Sequence, residues 1–190
     1  MDSLLISTGV VALAEMGDKT QLLAFILAAR FKKPIPIILG ILAATIINHG
    51  LAGALGAWIT SMISAEMLRW ILGVSFIGMA IWTLIPDKIE EEETQIAKHL
   101  GVFGATFITF FLAEMGDKTQ LATIALAAHY AAPIAVVVGT TLGMLIADVP
   151  AVFVGNKFAA KIPMKLVHSI AAGIFALMGV LTLAGVDKLF

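Results

Sequence analysis

Four carboxylates in this chain stand where ionised groups are costly. Glu15 and Asp18 interrupt an apolar run from Leu4 to Ala29, and Glu114 and Asp117 interrupt another from Gly101 to Ala128. Charges deep in hydrocarbon cost at least about 2.5–3.5 kcal/mol each on insertion scales, so they face a protein interior or a water-filled path. Glu15 and Asp18 are spaced i,i+3, which puts both carboxylates on one helix face, and Glu114 and Asp117 repeat the arrangement. Carboxylate, carbonyl and water oxygens are the donors that hard divalent cations favour. Thr20, Gln21, Thr119 and Gln120 add neutral oxygens beside the acids. Gly17 and Gly116 either permit close helix approach or mark a local break that exposes backbone carbonyls.

Lys19 and Lys118 admit a second reading. Each lies i+4 from its glutamate, the favourable orientation for an intrahelical ion pair, so the motifs could be neutral pairs that only hold helices together. Charge balance argues against this as a full account. Glu15, Asp18, Glu114, Asp117 and Asp148 are five acids at depth, and two lysines leave a formal −3. A divalent cation and a proton would neutralise that remainder. Asp148 lies two residues before Pro150, where a helix can open. Asn48 and His49 occupy the corresponding depth in the first half; an intramembrane histidine serves more often as an interhelical hydrogen-bonder than as a ligand. The candidate metal ligands are therefore Glu15, Asp18, Glu114, Asp117, Gln21, Gln120, Asn48 and Asp148. His49 and Asp148 are candidates for proton handling, and Met16 and Met115 are read as packing.

The elements that must position these groups are helices. The 190 residues are 60% hydrophobic and 13% charged, with a mean hydropathy of +1.02, against about half apolar and a quarter charged in soluble domains. Six segments approach the ~20 residues a spanning helix needs: Leu4–Ala29, Ile35–Ile59, Leu68–Ile85, Gly101–Ala128, Ile134–Val154 and Leu166–Ala184. If all six span, one side receives Arg30, Lys32, Lys33, Lys88, Lys98, Lys157, Lys161 and Lys165, and the other only Arg69 and Lys188. The positive-inside rule makes the first side cytoplasmic and places both termini outside.

The chain also repeats itself at an offset of 99 residues. Leu13–Leu22 and Leu112–Leu121 both read LAEMGDKTQL, and Pro34, Gly40 and Thr83-Leu84 match Pro133, Gly139 and Thr182-Leu183 without a gap. Three spans per copy is an odd number, so the second copy enters the bilayer from the opposite face, the arrangement of many secondary transporters. The expected fold is an all-α polytopic membrane protein of six transmembrane helices in two inverted three-helix repeats, residues 1–85 and 101–190. Residues 86–100, with Glu90–Glu93, form a solvated cytoplasmic linker.

Several function classes are excluded. With no cysteine there is no disulfide framework or thiolate site. No basic face suggests nucleic acid, and no zincin helix, catalytic triad or phosphate loop suggests an enzyme. A channel, which requires a continuous pore, stays open as a competing class, to be separated by whether flux saturates and depends on a proton gradient.

The two E-x-G-D-[KR]-[TS] motifs, each on the first helix of one half of a small six-span chain, resemble one family, that of bacterial MneA-type manganese exporters and Golgi calcium/manganese–proton exchangers. The resemblance covers essentially the whole chain. It implies cation/proton antiport without a resident cofactor, with Glu15, Asp18, Glu114 and Asp117 binding metal and Lys19, Thr20, Lys118 and Thr119 completing the motifs. The compact duplicated form is similar to the bacterial branch. This implies Mn²⁺ export across the plasma (inner) membrane, with Ca²⁺/proton exchange as the alternative and a broader exporter of small cationic solutes as a further one. The expected partners are the metal ion, protons and the lipid bilayer, and a homodimer is an admissible assembly.

Overall fold

The computed structural model describes residues 1–85, 100–154 and 164–186, and among these every regular element is an α-helix. There are eight: α1 Asp2–Glu15, α2 Lys19–Phe31, α3 Pro34–Met62, α4 Ala65–Thr83, α5 Val102–Glu114, α6 Lys118–Tyr130, α7 Pro133–Val154 and α8 Met164–Leu183. Four of them, α3, α4, α7 and α8, are long and apolar enough to cross a membrane. Leu51, Trp58, Ile81, Phe153 and Val180 are among many large apolar side chains left exposed, as expected of a surface facing lipid. Glu90–Glu93, Lys88, Lys98, Lys157, Lys161 and Lys188 lie outside the described residues.

The expected boundaries of the four long helices hold to within a few residues. The two motif-bearing segments do not form continuous helices. Each divides at its motif, into α1 and α2 in the first half and α5 and α6 in the second. The cause is local. Met16 is extended at φ −60°, ψ 117°, and Gly17 follows at φ +81°, a conformation that costs an L side chain roughly 1–2 kcal/mol. Asp18 then caps α2, its carboxylate accepting a 2.8 Å bond from the Lys19 amide. Met115, Gly116 (φ +78°) and Asp117 repeat the sequence of conformations. Thirteen or fourteen residues give a rod of about 20 Å, too short to cross ~30 Å of hydrocarbon alone.

The halves interlock. α1 packs along α7, α5 packs along α3, α3 crosses α7, and α4 pairs with α8. Matched glycines make the close approaches. A Cβ on Gly40 would lie 2.7 Å from Thr106 Cβ and 3.0 Å from the Phe103 carbonyl oxygen; one on Gly139 would lie 3.0 Å from Ser7 Cβ and 2.6 Å from the Leu4 carbonyl oxygen. Leu4, Ser7 and Gly40 correspond to Phe103, Thr106 and Gly139 at the 99-residue offset, so one contact is built twice. Two apolar clusters, one around Phe76, Leu126 and Phe175 and the other around Leu23, Ile41 and Phe110, pack these helices together.

Candidate metal centre

The two breaks meet inside the bundle, and their carboxylates meet with them. Glu15 ends α1 and Glu114 ends α5, and both are fully buried. Each is held by the threonine five residues on. Thr20 donates to Glu15 Oε2, and Thr119 donates to Glu114 Oε2 at 3.0 Å. Each glutamate thereby keeps its other oxygen, Oε1, buried and without a hydrogen-bond partner. Among the described residues, Glu15, Glu114 and Asp117 form a cluster whose ligand oxygens all lie within 4.8 Å of one another. Carboxylates do not gather at that spacing, away from water, without a cation or protons between them.

The N-termini of α2 and α6 emerge at the same place, so the positive ends of two helix dipoles support the acids. The glutamines shape the breaks. Gln21 Oε1 accepts from the Gly17 amide at 3.0 Å, and Gln120 Oε1 accepts from the Gly116 amide at 2.7 Å. Their amide nitrogens reach across the repeat boundary, Gln21 Nε2 to the Ala147 carbonyl at 2.8 Å and Gln120 Nε2 to Asn48 Oδ1 at 3.5 Å. Residues 48 and 147 correspond at the 99-residue offset, as do 21 and 120. Expected as ligands, Gln21, Gln120 and Asn48 spend their oxygens here on other protein groups, and Asn48 Nδ2 is tied to the Phe111 carbonyl at 3.0 Å.

Three further expectations are corrected. Glu15 and Asp18 do not share a helix face, because the helix ends between them; the same holds for Glu114 and Asp117. The lysines do not pair with their own glutamates, since the break removes the i,i+4 geometry. Each reaches the aspartate of the other repeat, Lys118 Nζ to Asp18 Oδ2 at 2.9 Å and Lys19 Nζ to Asp117 Oδ1 at 3.9 Å. His49 is not an interhelical hydrogen-bonder: it is fully buried and neither ring nitrogen has a partner.

Asp148 is fully buried, with both oxygens lacking a hydrogen-bond partner, and stands within electrostatic reach of Glu15, Glu114 and Asp18. Pro150 does not open α7, which continues through it to Val154. One contact escaped the sequence reading. His168 of α8 places Nε2 2.6 Å from the Met16 carbonyl oxygen, in the first break. The signal that could have found it is the repeat itself, which maps His168 onto Arg69, a second polar side chain near a helix start.

A family profile described as "Divalent cation/proton antiporter GDT1" matches residues 3–91 and 102–188. The chain belongs to this family. It is 52% identical to a Vibrio cholerae protein named "Putative manganese exporter", over 96% of this chain and 90% of that one. It is 32% identical to "GDT1-like protein 3" of Oryza sativa subsp. indica, over 92% of this chain and 71% of the relative. It is also 32% identical to "GDT1-like protein sll0615" of Synechocystis, over 91% and 92%. No solved structure matches. Membership makes this chain a multi-pass membrane transporter that exchanges a divalent cation for protons.

Proposed function

We propose that the protein exports Mn²⁺ from the bacterial cytoplasm across the inner membrane in exchange for protons, through a site built from the two motif breaks. The observation that carries this reading is the cluster of Glu15, Glu114 and Asp117 with two buried glutamate oxygens aimed at no protein donor. With Asp18 and Asp148 beside it and two lysines opposed, the layer keeps a formal −3 when all acids are ionised. A divalent cation offsets most of that charge. When it leaves, protons must replace it, because so many bare carboxylates cannot share a low-dielectric site. Loading and unloading of metal are thereby tied to proton release and uptake, and alternating access turns that tie into exchange.

The topology behind the reading is six spans in two inverted repeats. α1 with α2, and α5 with α6, each cross as one broken helix, as in transporters whose half-helix ends face the substrate. Two features support opposed orientation: the reciprocal Lys19–Asp117 and Lys118–Asp18 pairs, and the antiparallel seating of α4 on α8, where Arg69 of one lies beside Gly185 after the other. The lysine- and arginine-rich connections then lie in the cytoplasm.

An all-oxygen cluster suits Mn²⁺ and Ca²⁺ alike, and His49, the one nitrogen candidate, is not part of it. Mn²⁺ is preferred because the Vibrio cholerae relative, alike over nearly the whole chain, bears a manganese exporter's name. The test is reconstitution into vesicles holding a pH-sensitive dye, with each cation added outside. Mn²⁺ uptake accompanied by loss of luminal protons is expected. Uptake with no proton movement removes antiport, and brisk Ca²⁺ exchange with no Mn²⁺ response reverses the substrate.

A further inference from the structure

The two halves share their threonine–glutamate bonds and their glutamine-held breaks, and two of their differences bear on the site. The first is the lysine pairs, which correspond at the 99-residue offset. Lys118–Asp18 is closed at 2.9 Å with side chains 2% and 1% exposed, whereas Lys19–Asp117 stands at 3.9 Å with the lysine 18% exposed. The second is the outer helices. α8 packs against α1, with His168 on the Met16 carbonyl, but its counterpart α4 packs against α6 instead of α5, and Arg69 Nε has no partner. The two asymmetries agree. The aspartate in the acidic cluster is Asp117, whose lysine stands back, and the aspartate outside it is Asp18, which Lys118 holds.

In inverted-repeat transporters one repeat moves against the other, and two like halves that sit unlike point to a twin arrangement in which they exchange roles. We infer that Lys19 and Lys118 are alternating internal counter-cations, each withdrawing the other repeat's aspartate from the site in one of two twin conformations, so that the transported cation passes from Glu15, Glu114 and Asp117 to Glu15, Glu114 and Asp18. In the twin, Lys19 closes on Asp117, Lys118 stands back, and Arg69 docks at the Met115 carbonyl as His168 docks here at Met16. Breaking a buried ion pair is costly unless a second forms with it, so opening one pair while closing the other makes the change all-or-none. The lysines thus act as positioning residues that set which aspartate faces the cation. The inference rests on the cation site proposed above but not on which metal fills it.

The native chain contains no cysteine, so engineered pairs report without interference. Met16→Cys with His168→Cys reports the conformation described here, and Met115→Cys with Arg69→Cys reports the twin. Crosslinking is measured on the intact protein in vesicles, with Lys118 or Lys19 replaced by Met or, where the Met form is poorly folded, by Gln. Losing Lys118 is expected to raise the twin's crosslink relative to the first by at least about tenfold, and losing Lys19 to lower it by a similar factor. If both substitutions shift the ratio in the same direction, or neither shifts it, the exchange of roles is wrong. Reciprocal shifts in a protein that moves Ca²⁺ and not Mn²⁺ would uphold this inference while overturning the substrate reading.

Discussion

Replacing Thr20 by Val isolates the orientation of Glu15 from its charge. Valine keeps the shape of the threonine and removes the hydroxyl that donates to Glu15 Oε2. Both residues are fully buried, so no water takes over the bond. A hydrogen bond to a charged group contributes about 1.5–3 kcal/mol. At tenfold per 1.4 kcal/mol this corresponds to a factor of about ten to a hundred or more in affinity, in line with the 10–100-fold usual for groups that orient metal ligands. Thr20→Val is therefore expected to weaken Mn²⁺ binding by about 10–100-fold. Thr119→Val should match it, since Thr119 holds Glu114 at 3.0 Å in the same way. The assay is equilibrium titration of the purified protein, with free Mn²⁺ read by its spin resonance. Thr83→Val is the control, because that buried hydroxyl donates only to the Met79 carbonyl of its own helix. Thr20→Val binding within about twofold of the native protein, well inside the expected range, would refute the reasoning. An equal loss in the Thr83 control would refute it as well.

Glu15→Gln and Glu114→Gln should each abolish Mn²⁺/proton exchange in vesicles while leaving the protein folded and inserted; near-normal flux in either would remove that glutamate from the site. Asp148→Asn should impair exchange less than either and alter its dependence on pH, and an unchanged profile would confine Asp148 to structure. Gly116 has open space where a Cβ would sit but a φ of +78°, so Gly116→Ala should lower thermal stability by the roughly 1–2 kcal/mol of left-handed strain; an unchanged melting temperature would show that the break relaxes. Single cysteines near Lys33 and near Ser64 should be labelled from the cytoplasm and from outside respectively, and the opposite pattern would reverse the direction of transport.

Much of this arrangement was legible in the residues. Hydropathy marked α3, α4, α7 and α8 because each is a single apolar run long enough to span. The 99-residue repeat matched Gly40 with Gly139 but gave no sign of the doubled contacts they make. The broken helices were only half legible. Gly17 and Gly116 admitted a break, but hydropathy is blind to it, since Leu22–Ala29 is as apolar after the motif as Leu4–Ala14 is before it. The partners of Lys19 and Lys118 were not legible at all. An i,i+4 rule supposes a continuous helix, and the true partners lie 98 and 100 residues away in the chain, brought close only by the packing of the halves. His49 followed the same course: its burial was readable from the apolar run, but the lack of any partner depends on what α3 packs against.

The central claim is that Glu15, Glu114 and Asp117 hold the transported ion in the conformation described here. The most direct measurement is anomalous X-ray diffraction at the manganese edge from crystals grown with Mn²⁺. One strong peak among the oxygens of these three carboxylates, absent in Glu114→Gln crystals grown the same way, is the predicted result. A peak elsewhere in the protein, with these three carboxylates away from the ion, would contradict the account.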